Sequence, residues 1–205
     1  MKRVFDLIAA TLLLILCAPF IAFMAAAIVL ETRQNPFLAQ LRVGRDGKTF
    51  TLYKLCTFRR GAHGYFGSQE IRFGDARVSR VGQYLRRTKL DELPQLVNVL
   101  RGDMSVVGPR PDLPVQAQHY NERDNLRLRV RPGITGLAQV SGNTWLGWPD
   151  RIAIDLYYIR NRSARMDLAI LRSTMLVILR GERPGDDPLA LQTQGIRPGL
   201  PLLRQ

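Results

Sequence analysis

Cysteine and histidine are scarce. The 205 residues hold two of each, Cys17 and Cys56, His63 and His119. Cys17 lies inside an apolar run, so no disulfide framework and no thiolate metal centre is indicated. The histidines are far apart in sequence with no partner at helical spacing, and both read as surface residues. Acid is short as well: seventeen Asp and Glu stand against thirty Lys and Arg, for a formal net charge of +13. That balance points to an anionic partner, whether nucleic acid, a phosphorylated ligand or an acidic lipid surface. No self-similarity recurs at a fixed period, which excludes a repeat array.

A long apolar run is present. From Leu7 to Leu30 the stretch LIAATLLLILCAPFIAFMAAAIVL carries no charge, and a membrane helix needs about 20 such residues. Three readings compete. A cleaved leader would use Lys2 and Arg3 as its basic start and Ala25–Ala27 as its small-residue site, but the apolar core exceeds the usual 7–15 or so residues. A straight span conflicts with basic flanks on both sides, Lys2 and Arg3 before and Arg33, Arg42, Arg45 and Lys48 after. The third reading removes that conflict: Pro19, at mid-run, deletes a backbone hydrogen bond and favours a bend. Residues 1–34 then form a re-entrant membrane helix kinked at Pro19, with both ends on the cytoplasmic side.

After the anchor, PFLAQLRVGRDGKTFTLYKL alternates around Gly44-Arg45-Asp46-Gly47 and predicts a β-hairpin. Gly61 to Gly74 is glycine-rich and reads as a loop that stays mobile until something docks on it. Leu93, Leu96, Val97 and Leu100 recur at helical spacing, with Gly102 placed to end the helix. Pro94 then belongs to its opening turn, and Thr88 with Asp91 resembles a capping box. A polar helix is expected beyond Pro111. Two amphipathic helices follow, over 150–163 and 164–181. Arg165, Arg172 and Arg180 beside an apolar face give the second the composition of an interfacial helix, though a core-facing helix has the same pattern. The expected fold is therefore α/β, mostly helical and membrane-associated: the anchor (1–34), a small catalytic domain with a short hairpin and interfacial helices (35–180), and a tail (181–205).

Chemistry concentrates in RTKLDELPQLVNVL. Asp91 and Glu92 stand side by side, preceded by Arg86, Arg87 and Lys89 and followed by Arg110 between two prolines. A helix dipole favours one acid in a first turn by roughly 0.3–1 kcal/mol, which does not account for the cationic setting. Arg110, restricted by Pro109 and Pro111, offers a guanidinium fork to phosphate oxygens. A divalent cation reconciles paired carboxylates with a phosphate ligand, and the oxygen-rich setting suits Mg²⁺. An ionised carboxylate there can also attack phosphorus. A capped surface helix in a basic domain remains the plain alternative.

These residues carry a resemblance. RVGRDGKTFTLYKL, DARVSRVGQYLRRTKLDELPQ, GDMSVVGPRP, RPGITGLAQV and DLYYIRNRS, in that order behind an apolar segment with a central proline, resemble the bacterial sugar transferase family, the small monotopic polyprenyl-phosphate phosphoglycosyl transferases. The resemblance implies an enzyme on the cytoplasmic face of the bacterial inner membrane, with Mg²⁺ as cofactor. Asp91 would attack the β-phosphate of a nucleoside diphosphate sugar, a UDP-sugar by family preference, releasing UMP. Polyprenyl phosphate would then take the phosphosugar, the first membrane step of glycoconjugate assembly. Glu92 would be the second acid, sharing the metal with Asp91. Lys54, Arg59, Arg86, Arg110, Arg131 and Gln139 are the substrate-binding candidates. Nucleic acid is not an expected partner, and a homodimer stays open.

Departures from the family pattern are local. Cys56 stands where a cation is usual, so Lys54, Arg59 or Arg60 would have to replace it. Ala18 replaces a serine before Pro19. Asn143 stands where arginine is common, with Trp145 and Trp148 nearby as stacking, interface-anchoring or packing residues. Two rivals follow: a non-catalytic scaffold of the same fold, and a membrane-tethered nucleic-acid binder, against which the acid pair argues. The Asp186-Asp187 pair of the tail reads as a solvated loop.

Overall fold

The computed structural model describes residues 2–62, 75–142 and 146–180. Most of the Gly61 to Gly74 loop, together with His63, Asn143, Trp145 and the tail with its Asp186-Asp187 pair, lies outside the described residues. Among the described residues the chain is mostly helical, with two small sheets. Its elements are α1 (Lys2–Thr32), β1 (Phe37–Val43), β2 (Thr49–Leu55), α2 (Arg80–Thr88), α3 (Gln95–Arg101), β3 (Ser105–Val107), α4 (Pro114–Ala117), β4 (Gly133–Thr135), α5 (Leu137–Val140), α6 (Trp148–Asn161) and α7 (Ala164–Arg180).

α1 is 31 residues long and holds an 18-residue stretch with a mean hydropathy of 2.8, long and apolar enough by length and composition to cross a membrane. Pro19 sits inside one uninterrupted helical element rather than between two. At about 1.5 Å per residue the helix would measure about 46 Å if straight. Its two ends are tied to the rest of the protein by polar contacts. At the start, Arg3 Nη1 donates to Val99 O (2.7 Å), and the buried Asp6 carboxylate accepts from Ser105 Oγ (2.9 Å) and Val106 N (3.1 Å). At the far end, the Glu31 carboxylate accepts from Arg80 N (2.7 Å) and Val81 N (2.9 Å), the unsatisfied donors of the first turn of α2. Between these ties Leu12, Ile15 and Leu16 are 63–75% exposed.

The hairpin forms where alternation predicts it, with antiparallel register from Phe37 opposite Leu55 to Val43 opposite Thr49. Its inward face mixes apolar Leu38, Phe50 and Leu52 with polar Gln40, Arg42 and Lys54. Gln40 and Arg42 point inward while Phe37 and Leu41 stay exposed. The free edge of β2 is completed by a side chain: Asn98, fully buried on α3, accepts from Tyr53 N (3.1 Å) and donates to Thr51 O (2.7 Å). One amide thus satisfies two backbone groups of β2 and fixes the hairpin to α3. Leu96 is buried as the periodicity predicts, and Leu93 and Leu100 pack partly. Val99 is buried deeper than Val97, because the helix is covered on more than one face. Gly102 ends α3 at φ 95°, as expected.

Two expectations need correction, and one element is unexpected. The capping box from Thr88 to Asp91 does not form. Thr88 is the last residue of α2 and its hydroxyl donates back to Tyr84 O and Leu85 O, while the N-cap of α2 is Ser79, which accepts from Gly82 N (2.9 Å). The polar helix beyond Pro111 is only the single turn α4 and a 3-10 stretch, Asp124–Arg129. Between them the Asn121 side chain accepts from Asp124 N (2.9 Å), a local turn bond that competes with helix continuation. The parallel pair of β3 with β4, Ser105 opposite Gly133 and Val107 opposite Thr135, is an element the sequence pattern does not announce.

The main core gathers Leu96, Val99, Met104, Val107, Leu137, Ile154 and Tyr158 between α3, the parallel pair, α6 and α7. A second cluster, Ile28 with Leu55 and Leu85, joins the end of α1 to β2 and α2. The acid pair lies where hairpin, α2 and α3 converge.

Candidate active site

Lys89 is the pivot. Its left-handed backbone, φ 59°, ends α2 and turns the chain into a 3-10 turn, Leu90–Glu92, after which Pro94 opens α3. Asp91 and Glu92 therefore sit just ahead of α3 rather than within it, and both are buried, at 7% and 8% exposure. Burial of two adjacent carboxylates is costly unless cations face them. Five interact with the pair: Lys89 from the same turn, Arg86 from α2, Arg42 and Lys54 from the inner face of the hairpin, and Arg110.

The two acids are driven apart electrostatically. Burial first, then the neighbouring Glu92 charge, raise Asp91 above the ordinary aspartate range, against the pull of Lys54, Lys89 and Arg86. Burial acts the same way on Glu92, but the charge of Arg110 and its 2.8 Å hydrogen bond from Nη2 to Oε1 prevail and hold Glu92 well below its ordinary value. Lys54 is pushed down to about 8, by burial first. Divergent environments for neighbouring acids are how one site assigns them different tasks.

Arg110 owes its direction to a backbone crossing. Gly108 N donates to Thr135 O (2.9 Å), Gly133 N to Pro109 O (2.8 Å), and Ser105 N to Pro132 O (2.8 Å). The crossing is so tight that a Cβ on Gly133 would lie 2.1 Å from Gly108 N. This is the physical content of the GPRP and PGITG segments: glycines permit the contact, and the prolines between them restrict the loop carrying Arg110.

The structure places the remaining candidates variously. Arg86 reaches Thr57 Oγ1 (2.9 Å) and lies 5.0 Å over the Phe58 ring, aligned beside the acids. Arg59 turns elsewhere, with Nε on Val78 O (3.3 Å), and Arg60 is exposed. Arg131 Nε donates to Gly102 O (2.8 Å) and, with Arg3, caps the last carbonyls of α3. Gln139 Nε2, on α5, donates to Ile134 O of β4 (2.8 Å). Neither of these two contacts is to the acid pair. Cys56 is buried, with Phe58 and Val78, and burial raises its thiol. Trp148 packs over Arg127, and His119 is exposed as expected.

Sequence reading places Lys89 among the cations ahead of the pair, but it leaves out Arg42 as a site residue and a buried charge network around Arg127. Alternation in β1 would put Arg42 on the outward face, so its inward position has no sequence signal, and the network leaves no local signal either. As a metal site, the pair offers two hard carboxylates, and among the described residues no group of three or more acids, histidines or cysteines converges. Two carboxylates suit Mg²⁺, which keeps waters and takes substrate phosphates for its remaining positions.

The family model described as bacterial sugar transferase matches residues 1–181, and the chain belongs to that family. It is 40% identical over 184 residues to the uncharacterized sugar transferase EpsL of Bacillus subtilis, covering 89% of each chain. It is 44% identical over 186 residues to a UDP-glucose:undecaprenyl-phosphate glucose-1-phosphate transferase of Caulobacter vibrioides, covering 87% of this chain and 69% of that one. An Escherichia coli protein of the same name is 39% identical over 185 residues, 85% of this chain and 39% of the relative.

Proposed function

We propose that this protein transfers a phosphosugar from a nucleoside diphosphate sugar to polyprenyl phosphate through a covalent intermediate on Asp91. The observation that carries the reading is the buried acid pair, set apart electrostatically inside a shell of five cations. The relatives' names support undecaprenyl phosphate as acceptor and a uridine nucleotide in the donor.

In the first half-reaction an Asp91 carboxylate oxygen bonds to the β-phosphorus. The bond from that phosphorus to the bridging oxygen breaks, and the nucleoside monophosphate leaves with that oxygen and its electron pair. In the second, a phosphate oxygen of the lipid attacks the same phosphorus and Asp91 departs as a carboxylate. A raised pKa makes Asp91 the more basic and more nucleophilic of the two acids, while Glu92, held ionised by Arg110, contributes a fixed charge. Mg²⁺, when bound by Asp91 or Glu92, would neutralise phosphate charge. Lys54, Arg86 and Arg110 orient the diphosphate and stabilise charge on its oxygens.

The membrane reading belongs to the same proposal. A re-entrant α1 is supported by polar ties of both its ends to one body, with apolar exposed residues between them. An interfacial α7 is supported by exposed Leu168, Met175 and Leu179 beside exposed Arg165 and Arg172. Both surfaces bring the acid pair to the cytoplasmic face of the inner membrane, where a soluble donor and a lipid acceptor meet.

The test incubates the membrane-embedded protein with Mg²⁺ and a panel of UDP-sugars, without lipid acceptor. Intact-protein mass should show a phosphosugar adduct, absent in Asp91→Asn. Equal labelling of that variant, or kinetics requiring both substrates bound together, would refute the covalent assignment.

A further inference from the structure

Arg127 is 6% exposed and holds a buried network that touches no acid of the pair. Its Nη1 donates to the Asp112 carboxylate and to the Tyr120 hydroxyl (2.6 Å), and Tyr120 in turn donates to Asp112. Its Nη2 donates to the fully buried Asp155 carboxylate (2.7 Å) and to the backbone oxygen of Arg110 (3.3 Å). The guanidinium plane is covered by two aromatic rings, Tyr120 at 5.7 Å and Trp148 at 5.9 Å.

Three of these contacts, to the Asp112 carboxylate, to the Arg110 carbonyl and from Tyr120 to Asp112, bear on residues 110–112. Arg127 grips the segment on both sides of Pro111, through the carbonyl of Arg110 and the carboxylate of Asp112. The hairpin grips it from the other direction, since Arg42 Nη1 donates to Pro111 O (2.9 Å) and Val43 N to Asp112 O (3.0 Å). Only a flat, five-donor fork can bond two carboxylates, a hydroxyl and a carbonyl at once. Core burial alone would not need that fork, because a buried ion cluster is seldom more stabilising than apolar residues of the same volume. Its specific product is a fixed origin for the Arg110 side chain, which reaches Glu92 at 2.8 Å.

We infer that Arg127, backed by Asp155, is a positioning residue that acts on the reaction through Arg110. Asp155 anchors one branch of the fork in the core, and Asp112 with Tyr120 anchors the other. Arg110, aimed by this clamp, meets both Glu92 and the donor phosphate. The kinetic part of the inference rests on the transferase reading; the geometric part does not.

The test is a double-mutant cycle on the full chain in lipid nanodiscs, using Arg127→Lys, Arg110→Ala and their combination. Lysine keeps the charge and loses the fork. Arg127→Lys should lower kcat/KM at least tenfold in the parent and less than twofold in the Arg110→Ala background. A second readout needs no substrate: nitrogen-15 arginine spectra, with the Arg110 guanidinium identified by its loss in Arg110→Ala, should show restricted rotation in the parent and fast rotation in Arg127→Lys. If Arg127→Lys fails to fold, Asp155→Asn, which leaves the Arg127 to Asp112 pair, goes through the same cycle with the same expectations. Equal losses in both backgrounds, or an unaltered Arg110 signal, would overturn the inference. A parent protein that turns over no donor would instead refute the transferase reading, and the rotation measurement would still decide the positioning role.

Discussion

Gly133→Ala tests the link between backbone packing and catalysis most directly. The added Cβ would lie 2.1 Å from Gly108 N, 2.4 Å from Thr135 O and 2.6 Å from Gly108 O, all backbone atoms. Ordinary contact is about 3.5 Å, so at the closest point the two segments must part by about 1.4 Å. Three crossing hydrogen bonds, of 2.8, 2.8 and 2.9 Å, stretch or break. At a net value of about 1 kcal/mol each, the loss is about 3 kcal/mol. For a chain of this size that lowers Tm by about 6–12 °C. Turnover should fall further than stability accounts for, because Arg110 leaves the loop just beyond Gly108 and a 1 Å misplacement of a charge clamp costs on the order of 100-fold. The assay pairs thermal unfolding in lipid nanodiscs with nucleoside monophosphate release at a temperature where the variant is fully folded. Gly47→Ala is the control. Its φ of 76° strains any side chain, yet a Cβ there meets nothing within 4 Å, so stability drops by about 1–2 kcal/mol and turnover stays. If Gly133→Ala behaves like Gly47→Ala, the crossing does not aim Arg110.

Two further outcomes follow from the hairpin. Asn98→Leu fills the same volume but leaves Tyr53 N–H and Thr51 C=O without their buried partner, a loss of about 3 kcal/mol by unfolding. It should also weaken donor binding, since Lys54 and Arg42 ride on the released hairpin, and unchanged binding would mean the hairpin holds its place without α3. Lys54, lowered to about 8 from 10.5 by burial first, should lose its charge as pH rises through about 8. Donor KM should climb over that interval, and the climb should be absent in Lys54→Met. The sign for stability is opposite: a folded value below the unfolded one makes the charged ammonium a folding cost below pH 8, relieved as pH rises from about 8 toward 10.5.

What the residue string makes legible is chemistry with a local signature. Two adjacent acids in a chain of net charge +13 are out of place by composition, and the turn around Gly44 to Gly47 announces a hairpin by alternation. The aiming of that chemistry has no such signature. Arg127 meets Asp112 fifteen residues away and Asp155 twenty-eight away, separations that match no helical or strand period. β3 and β4 are three residues each, too short for a pattern, and they join through glycine contacts that a sequence shows only as PGITG and GPRP. Nearness in sequence also misleads: Arg131 and Gln139 flank the PGITG segment, yet their contacts are with Gly102 O and Ile134 O. The hairpin adds the converse case, for Gln40 and Arg42 occupy the face that alternation reserves for a core, and Phe37 and Leu41 the exposed one. Polar inward residues make sense once the inner face lines a charged site. β1 therefore carries Arg42 toward the acid pair on one side and leaves Phe37 and Leu41 exposed on the other.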